Sequence, residues 1–352
     1  MHPSINVDGM VAFLTELLNT PSPTGDTDRA IQWIEEKFST TFANQPLSLK
    51  RTPKGLLVAH WPGKKRDAPR GLTAHVDTLG AMVRRVKQNG RLQMTQLGGW
   101  SWTSVEGEGV TIFASNGQTY RGTILPTHAS IHAHTAKERN TLRNDTNMEV
   151  RIDAHTNTAK ETSALGIRVG DIIAVDPRVE LSDSGFIRSR HLDDKASIAC
   201  MFGAMVALAE AGLEPAQDTC FHISNYEEVG HGASTGFPPN LTDLISIDMA
   251  VVAPKQMSNE YSVTICAKDS AGPYHMQLRR ELEALAQAND LRYATDIYPY
   301  YGSDGESYWR AGGDVRVALI GPGVDASHHY ERTHRQALDN TAKLLLAYLL
   351  AD

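Results

Sequence analysis

Side chains that can bind metal ions occur at the ends of several predicted strands and in the loops that follow them. The groups are His75-x-Asp77, Asp193-Asp194, Glu227-Glu228, Asp248 and the segment Ser327 to His334, with its histidines His328, His329 and His334. Imidazole and carboxylate ligands without thiolates are typical of catalytic sites for Zn²⁺, Co²⁺ or Mn²⁺. Structural zinc sites use cysteine more often. The pattern therefore indicates a catalytic metal site.

The central candidate is Asp193, in the stretch Arg190 to Ser197. Apolar residues follow it at helical spacing, namely Ile198, Met201, Phe202, Met205 and Leu208. At or just before a helix N-terminus the helix dipole favours the ionised form of a carboxylate. The two oxygens of that carboxylate can bridge two metal ions. The alternative is that Asp193 or Asp194 is only the N-cap of the helix.

His75 lies at the end of a predicted buried strand, Gly71 to Asp77. Residues two apart in a strand point to the same face, so Asp77 can hold the second ring nitrogen of His75. Histidines that bind metal ions usually have such a partner. The alternative is a buried core histidine with ordinary hydrogen-bond partners.

Glu227 and Glu228 follow an apolar strand and precede Gly230 and Gly232. Two like charges at a buried strand end need cations or raised pKa values. One glutamate acting as a ligand and the other as a general base would meet that need.

Each of the remaining candidates also has a structural interpretation. The two glutamates could be an exposed pair, Asp248 could cap a turn, and the three C-terminal histidines could form a surface tract. Ser303 and Asp304, in the stretch YGSDGES, either lie near the pocket or form an ordinary glycine-containing turn before a helix, and the turn is the preferred interpretation.

Composition limits the class of protein. The chain has 352 residues, enough for two domains or for one domain with a large insertion. Its net charge of −7 argues against a nucleic-acid partner. The three cysteines are odd in number and widely spaced, which argues against a disulfide framework. No apolar run is long enough for a membrane span, and the first residues do not resemble a signal peptide. We therefore expect a cytoplasmic protein without a membrane partner.

Helices and strands alternate at both ends of the chain. Helices are predicted at 10–18, from about 26 to 38, from 193 to about 212, at 274–288 and at 337–350. Strands are predicted at 56–60, 71–77, 219–226, 244–247 and 316–320, with a polar turn at 64–70. Short alternating segments and many glycines fill the middle, including a hairpin with Asn89-Gly90 as its turn.

The pattern predicts an α/β fold, a mixed sheet flanked by helices, with an inserted small β-rich domain. The α/β domain is expected to be discontinuous, with residues 1–79 and 188–352. The insertion is expected to span residues 80–187.

The order of the motifs resembles a known family, the M42 dinuclear metallo-aminopeptidases, which include tetrahedral and glutamyl aminopeptidases. The matching stretches are PSPTGD, TAHVDTLG, LPTHASIHAHTAKER, VRIDAHTNTAKETSALGIRVGD, HLDDKAS, NYEEVGHGAS, LISIDMA, YGSDGES and SHHYERTH. They occur in family order over nearly the whole chain. The resemblance implies a zinc-peptidase-like domain, a PDZ-like insertion that builds dimer contacts, and a homo-oligomer between a dimer and a dodecamer.

The resemblance also implies residue roles. One metal ion, Zn²⁺ or Co²⁺, would be held by His75, Asp193 and Asp248. The other would be held by Asp193, Glu228 and His328, with His329 or His334 as the alternatives to His328. Glu227 would be the general base for a water activated by both metals, and Asp77 would orient His75. A cis peptide is expected between Asp193 and Asp194.

The chain departs from the family pattern at two places, which makes the usual substrate preference uncertain. Thr78 stands where the family usually has glutamate, and Asp153-Ala154-His155 replaces Asp-Ile-Gly. The chain also resembles a branch linked to the osmolyte N-acetylglutaminylglutamine amide. The expected substrate is a short peptide or a small dipeptide-like metabolite.

The expected function is hydrolysis of an amide bond by an aminopeptidase. Two alternative functions would use the same predicted site residues. One is a deacylase or carboxypeptidase on the same frame, and the other is a non-catalytic binding protein with a degenerate metal site. A serine hydrolase is not favoured, because the G-x-S-x-G motif is absent.

Overall fold

The computed structural model describes residues 3–352 of the chain. It contains two compact units, one formed by the chain up to Asp77 together with Arg178–Asp352, the other by Thr78–Pro177. The α/β fold with a β-rich insertion is confirmed. The insertion ends at Pro177 rather than at residue 187, because the strands that follow pair with the sheet of the first unit. Within residues 3–352, no helix has the length and hydropathy needed to cross a membrane.

Eight helices and eighteen strands are described in residues 3–352. The helices are α1 (Val7–Leu18), α2 (Asp28–Thr41), α3 (Ala136–Arg139), α4 (Ala159–Ala164), α5 (Leu192–Glu210), α6 (Met276–Ala288), α7 (Asp304–Arg310) and α8 (Arg335–Leu350). The strands are β1 (Ser48–Arg51), β2 (Leu57–Trp61), β3 (Lys65–His75), β4 (Gly80–Val86), β5 (Leu92–Leu97), β6 (Gly109–Phe113), β7 (Thr119–Pro126), β8 (Met148–Ile152), β9 (Ile172–Val175), β10 (Glu180–Leu181), β11 (Phe186–Ser189), β12 (Gln217–Ser224), β13 (Asp243–Ile247), β14 (Ala250–Val252), β15 (Val263–Lys268), β16 (Tyr293–Ile297), β17 (Arg316–Asp325) and β18 (Glu331–His334).

A mixed sheet forms the centre of the first unit. Its main path runs β1-β2-β12-β3-β13-β17-β18-β11-β10. The four strands β12, β3, β13 and β17 are mutually parallel in that order. Their carboxyl ends therefore meet at one edge of the sheet, where ligands of open α/β sheets bind.

The two faces of this sheet bury different apolar clusters. Ile245 and Ile247 of β13 belong to the cluster that contains the apolar residues of α1, α2, α5, α6 and α8. Leu244, which precedes Ile245 in the strand, belongs to a smaller cluster against which Tyr308 and Trp309 of α7 pack. Because successive strand residues point to opposite faces, helices cover the sheet on both sides.

One strand is longer than the sequence predicts. Residues 64–70 were expected to form a polar turn, but β3 begins at Lys65 and continues to His75. Its first residues are exposed and charged, and they pair only loosely with β12, where the register shifts near Gln217. This end of the strand lies outside the apolar core, so its residues are polar, and the polar sequence was interpreted as a turn.

The inserted unit is a closed barrel of antiparallel strands in the order β4-β5-β8-β7-β6-β9. Inward-facing residues such as Val110, Ile112 and Val150 form its own apolar core. The predicted hairpin at Asn89-Gly90 is present between β4 and β5, and Gly90 has a φ of 78° there. A left-handed conformation of this kind favours glycine.

Helix α5 is fixed closely against α1. Gly203 faces Met10, and a Cβ atom at Gly203 would lie 2.8 Å from the sulfur of Met10. The Lys195 ammonium group is buried and donates to the carbonyls of Leu17 (3.0 Å) and Thr20 (2.7 Å) at the end of α1. Burial lowers the pKa of Lys195 to about 7. These contacts hold the first turn of α5 in place.

His222, in the central strand β12, is a buried histidine outside the metal candidates. Its Nε2 donates to the carbonyl of Thr235 at 3.0 Å, so Nδ1 accepts from the Thr73 hydroxyl at 3.0 Å. The ring also stacks on Phe237. Burial lowers the pKa of His222 to about 4.

This lowered pKa predicts a loss of stability in mild acid. Below a pH of about 6.5 this histidine is protonated in the unfolded chain. In the folded protein His222 stays neutral until the pH approaches 4. The free energy of unfolding should therefore fall by up to about 3 kcal/mol across that window from this residue. His222→Gln should show a shallower decrease between pH 7 and pH 4.5 in urea titrations with chelator present.

The partly exposed histidine His60 on the neighbouring strand β2 provides the control. His60→Gln, measured in the same way, shows whether a change in slope is specific to the buried His222. Equal slopes for His222→Gln and the parent would show that His222 does not contribute this acid sensitivity.

Candidate metal centre

The parallel strands bring three sequence-predicted residues to one edge. His75 is the last residue of β3 and lies opposite Ser224, the last residue of β12. Glu227 follows β12, and Asp248 follows β13 directly, where its N–H donates to the carbonyl of Ile320 in β17 at 2.9 Å. Residues far apart in the chain therefore meet because their strands are neighbours in the sheet.

Asp193 reaches this edge through an irregular start of α5. His191 has a left-handed φ of 70°, and Asp193 and Asp194 both depart from helical geometry. The peptide bond between the two aspartates is cis, as predicted. Neither aspartate is the N-cap, a position that His191 occupies. Asp194 instead accepts the backbone N–H of His75 at 3.3 Å and so connects α5 to the end of β3.

The two oxygens of Asp193 face different histidines. Oδ1 lies 3.1 Å from Nε2 of His75, and Oδ2 lies 3.3 Å from Nε2 of His328. Oε2 of Glu228 is 3.6 Å from Nε2 of His328, and Oδ1 of Asp248 is 4.0 Å from Nε2 of His75. The five residues predicted as ligands therefore converge on two neighbouring positions that share Asp193.

Ligand atoms of several acidic and histidine side chains lie within 4.8 Å of one another in three groups. One of these groups, Asp193, Glu228 and His328, is the ligand set predicted for the second metal ion. The groups are Asp193, Glu228 and His328; His75, Glu227 and Asp248; and Asp193, Asp194 and Asp248.

Asp77 contacts His75 differently from the prediction. Nδ1 of His75 is 2.9 Å from the backbone carbonyl of Asp77, whereas the Asp77 carboxylate is 3.5 Å away. That carboxylate accepts the N–H groups of Glu227 (3.1 Å) and Glu228 (3.3 Å), together with the Thr24 hydroxyl (2.8 Å). Asp77 therefore links the orientation of His75 to the position of both glutamates.

Of the three C-terminal histidines, His328 is the one that lies at Asp193. His329 is exposed, and His334 caps α8 while its Nε2 contacts the Ser184 carbonyl at 2.9 Å. Glu331 accepts the N–H of His328 at 3.0 Å and the N–H of Asp193 at 3.1 Å. Glu331 therefore fixes two predicted ligands at once.

The glutamate loop, residues 227–234, is held by the side chains of Asp304 and Lys54 through contacts that the sequence did not predict. Asp304 accepts the N–H of Ala233 at 2.7 Å and also the Ser224 hydroxyl. The Lys54 ammonium group donates to the carbonyl of Gly232 at 2.6 Å. A Cβ atom at Gly232 would overlap Oδ1 of Asp304, so this close approach requires glycine. The loop is therefore fixed from both sides.

The expected helix is present and begins at Asp304, and residues 301–303 before it form neither a helix nor a strand. The hydrogen bonds of the Asp304 side chain to Ala233 and Ser224 were not predicted. An acidic residue at the start of a predicted helix gives the same sequence signal as an ordinary helix cap.

Burial dominates the electrostatics of the centre. It raises the pKa of Glu228 to about 8 and holds the pKa values of Glu227 and Asp248 well above the ordinary range. Burial also opposes ionisation of Asp193, but hydrogen bonds from His328 and His75 keep the pKa of Asp193 below its usual range. Cations between these groups would favour their ionised forms.

The chemistry of the donors fits divalent metal ions. Oε1 of Glu228 and Oδ1 of Asp248 are buried, and neither oxygen has a hydrogen-bond partner among the described residues. Buried polar atoms are rarely left without partners, and charged ones are paired or bind metals. Because these oxygens lie beside the histidines of the centre, the residues present fit metal ions.

A cavity of about 470 Å³ opens at the centre. Its walls include four of the predicted ligands and Glu227, together with uncharged residues. The lining residues are Asp193, Glu227, Glu228, Gly230, Asp248, Met249, Val251, Tyr300, Tyr301, Gly302, Ser327 and His328.

Comparison with known proteins places this geometry in a family. A family model described as M42 glutamyl aminopeptidase matches residues 55–344. "Putative aminopeptidase YhfE" of Bacillus subtilis (strain 168) is 44% identical over 336 residues, which cover 96% of each chain. "Lysyl aminopeptidase" of Pyrococcus furiosus is 25% identical and covers 84% of each chain.

Solved structures with low sequence identity share the fold. A TET aminopeptidase from Thaumarchaeota archaeon SCGC AB-539-E09 has a TM-score of 0.87 at 16% identity and covers 97% of each chain. The Pyrococcus horikoshii TET1 peptidase has a TM-score of 0.83 at 18% identity and covers 97% of this chain and 100% of its own. The family match and the relative at 44% identity establish that the chain belongs to the M42 family of aminopeptidases, which are metallopeptidases.

Proposed function

We propose that this peptidase uses two divalent metal ions to remove N-terminal residues from short peptides or from a dipeptide-like metabolite. The observation that carries the proposal is the position of Asp193, whose two carboxylate oxygens face His75 and His328 separately. A carboxylate placed between two sets of ligands is suited to bridging two ions. The cavity at this position supplies room for a substrate.

The proposed ligands of the first ion are His75, Asp193 and Asp248, and those of the second are Asp193, Glu228 and His328. Oxygen and imidazole donors of this kind suit Zn²⁺ or Co²⁺. When bound, the ions supply Lewis-acid polarisation of the scissile carbonyl and a lowered pKa for water.

Glu227 is the proposed general base. Its Oε2 lies 3.8 Å from Nε2 of His75, and the side chain lines the cavity while remaining outside the second ligand set. The backbone N–H of Glu227 donates to the Asp77 carboxylate, which holds this residue in place. Oε2 can therefore accept a proton from water and return it to the departing amine.

We also propose that the protein forms a homo-oligomer and resides in the cytoplasm. The Pyrococcus horikoshii TET1 peptidase, which shares this fold, can assemble into a tetrahedron or a large octahedral shell. Cys200, Cys220 and Cys266 are buried free thiols, which suits a reducing compartment.

A substrate panel tests the proposed reaction. Dipeptides with a free N-terminus should be hydrolysed by the zinc- or cobalt-loaded protein, and chelator should abolish the activity. The panel should include N-acylated and amidated dipeptides, among them N-acetylglutaminylglutamine amide. Exclusive cleavage of acylated substrates would contradict aminopeptidase action and favour a deacylase.

Glu227→Gln should lower kcat by about 10²–10⁴-fold, because the amide cannot accept the proton. Metal content measured by elemental analysis should stay unchanged. Glu228→Gln should instead reduce metal content, and Glu210→Gln at the exposed end of α5 serves as the surface control. Full turnover by Glu227→Gln with metal bound would disprove the role as base.

His328→Ala should lose about one equivalent of bound metal, since a catalytic ion with few protein ligands does not tolerate the loss of one. His329→Ala is the matched control, because His329 is the exposed neighbour and should retain the full content. Equilibrium dialysis followed by elemental analysis measures both. Loss of metal from His329→Ala but not from His328→Ala would reverse the assignment.

A further inference from the structure

The lining residues that are not part of the proposed catalytic set have a distinct chemistry. Among them, Met249, Val251, Tyr300, Tyr301 and Ser327 form a wall in which no residue carries a formal charge. Among the described residues that line the cavity, every ionisable acid or histidine belongs to the proposed catalytic set. A substrate side chain in this part of the cavity would therefore meet apolar surface, aromatic rings and hydroxyl groups, but no formal charge.

Three residues of this wall, Met249, Val251 and Tyr301, are held by the sheet or by buried contacts. Val251 lies in β14, which pairs with β17 from Ala250 to Val252. Met249 is 1% exposed, and its carbonyl accepts the Tyr301 hydroxyl at 2.9 Å. Tyr301 also packs on Tyr298, with ring centroids 5.2 Å apart. The shape of this part of the wall is therefore fixed before a substrate arrives.

A charged side chain placed against this wall would meet no opposite charge on it, because the charged lining residues all belong to the proposed catalytic set. Partial burial of a carboxylate or an ammonium group is costly when no opposite charge is present. An amide group suffers less, because it can use hydroxyl and backbone partners, and an apolar group gains from burial. The wall therefore discriminates by charge rather than by polarity alone.

We infer that the wall formed by Met249, Val251, Tyr301 and Ser327 receives the side chain of the residue that is cleaved off, and selects uncharged side chains. Leucine, methionine and glutamine are the residues that fit, whereas glutamate and lysine are disfavoured. This inference rests on the proposed function. The inferred preference for uncharged side chains differs from the glutamyl activity in the description of the family model and from the lysyl activity in the name of one relative.

Aminoacyl p-nitroanilides of leucine, methionine, glutamine, glutamate and lysine test the inference with the zinc-loaded protein. The first three should have a kcat/KM at least about tenfold higher than the last two, a range that single side-chain contacts supply. A preference for glutamate or lysine would overturn the inference.

Charge variants at Val251 test the wall directly. Val251→Lys should raise the ratio of glutamate to leucine hydrolysis by about tenfold, and Val251→Glu should raise the ratio of lysine to leucine hydrolysis. Val252→Lys is the matched control, since Val252 is the next residue of β14 and is absent from the cavity lining. If both Val251 variants kept the hydrolysis ratios of the parent protein, the side chain of the substrate would bind elsewhere and the inference would be wrong.

A binding measurement separates this inference from the proposed reaction. Calorimetry on zinc-loaded Glu227→Gln should show tighter binding of free leucine and glutamine than of glutamate and lysine. If no panel substrate is hydrolysed, the proposed function fails, and this binding order still decides the inference. Tighter binding of glutamate or lysine, or no binding of any of the four, would overturn it.

Discussion

Burial of several carboxylates at one edge of a sheet is the constraint on which the rest of this structure depends. Glu227, Glu228 and Asp248 approach one another in a place where burial opposes their ionisation. Hydrogen bonds from two histidines favour the charged form of Asp193 alone. Without cations such a cluster is unfavourable, because like charges in a poorly solvated site repel one another. Divalent ions would convert that repulsion into attraction, and the buried oxygens without partners indicate where those ions would bind.

The surrounding structure holds the cluster by a few hydrogen-bonded side chains rather than by the ligands themselves. Asp77 fixes both glutamates through their N–H groups, and Glu331 fixes Asp193 and His328 in the same way. Asp304 and Lys54 hold the remainder of the glutamate loop. These carboxylates position the backbone through the N–H groups that they accept. The ligand geometry is therefore set by the fold before any ion binds.

Sequence reasoning predicted the parts of the site that have a local signal. His75 and Asp248 stand at the ends of apolar strands, and the structure brings both to the sheet edge. Roles that depend on contacts distant in the chain were not visible. Asp304 accepts a hydrogen bond from Ala233, 71 residues away, although its sequence context is that of a turn. The Asp77 carboxylate was assigned to His75, from which it lies 3.5 Å away. Its closer partners are two backbone N–H groups and the Thr24 hydroxyl, which periodicity cannot identify. The extent of β3 was missed because its charged start lies outside the core.

The central claim is that two metal ions share the carboxylate of Asp193. Anomalous X-ray diffraction from crystals grown with Zn²⁺, recorded on both sides of the zinc absorption edge, tests it most directly. The account predicts two anomalous peaks, with one oxygen of Asp193 bound to each ion and His75 and His328 on opposite sides. A single peak, or two peaks that Asp193 does not connect, would contradict it.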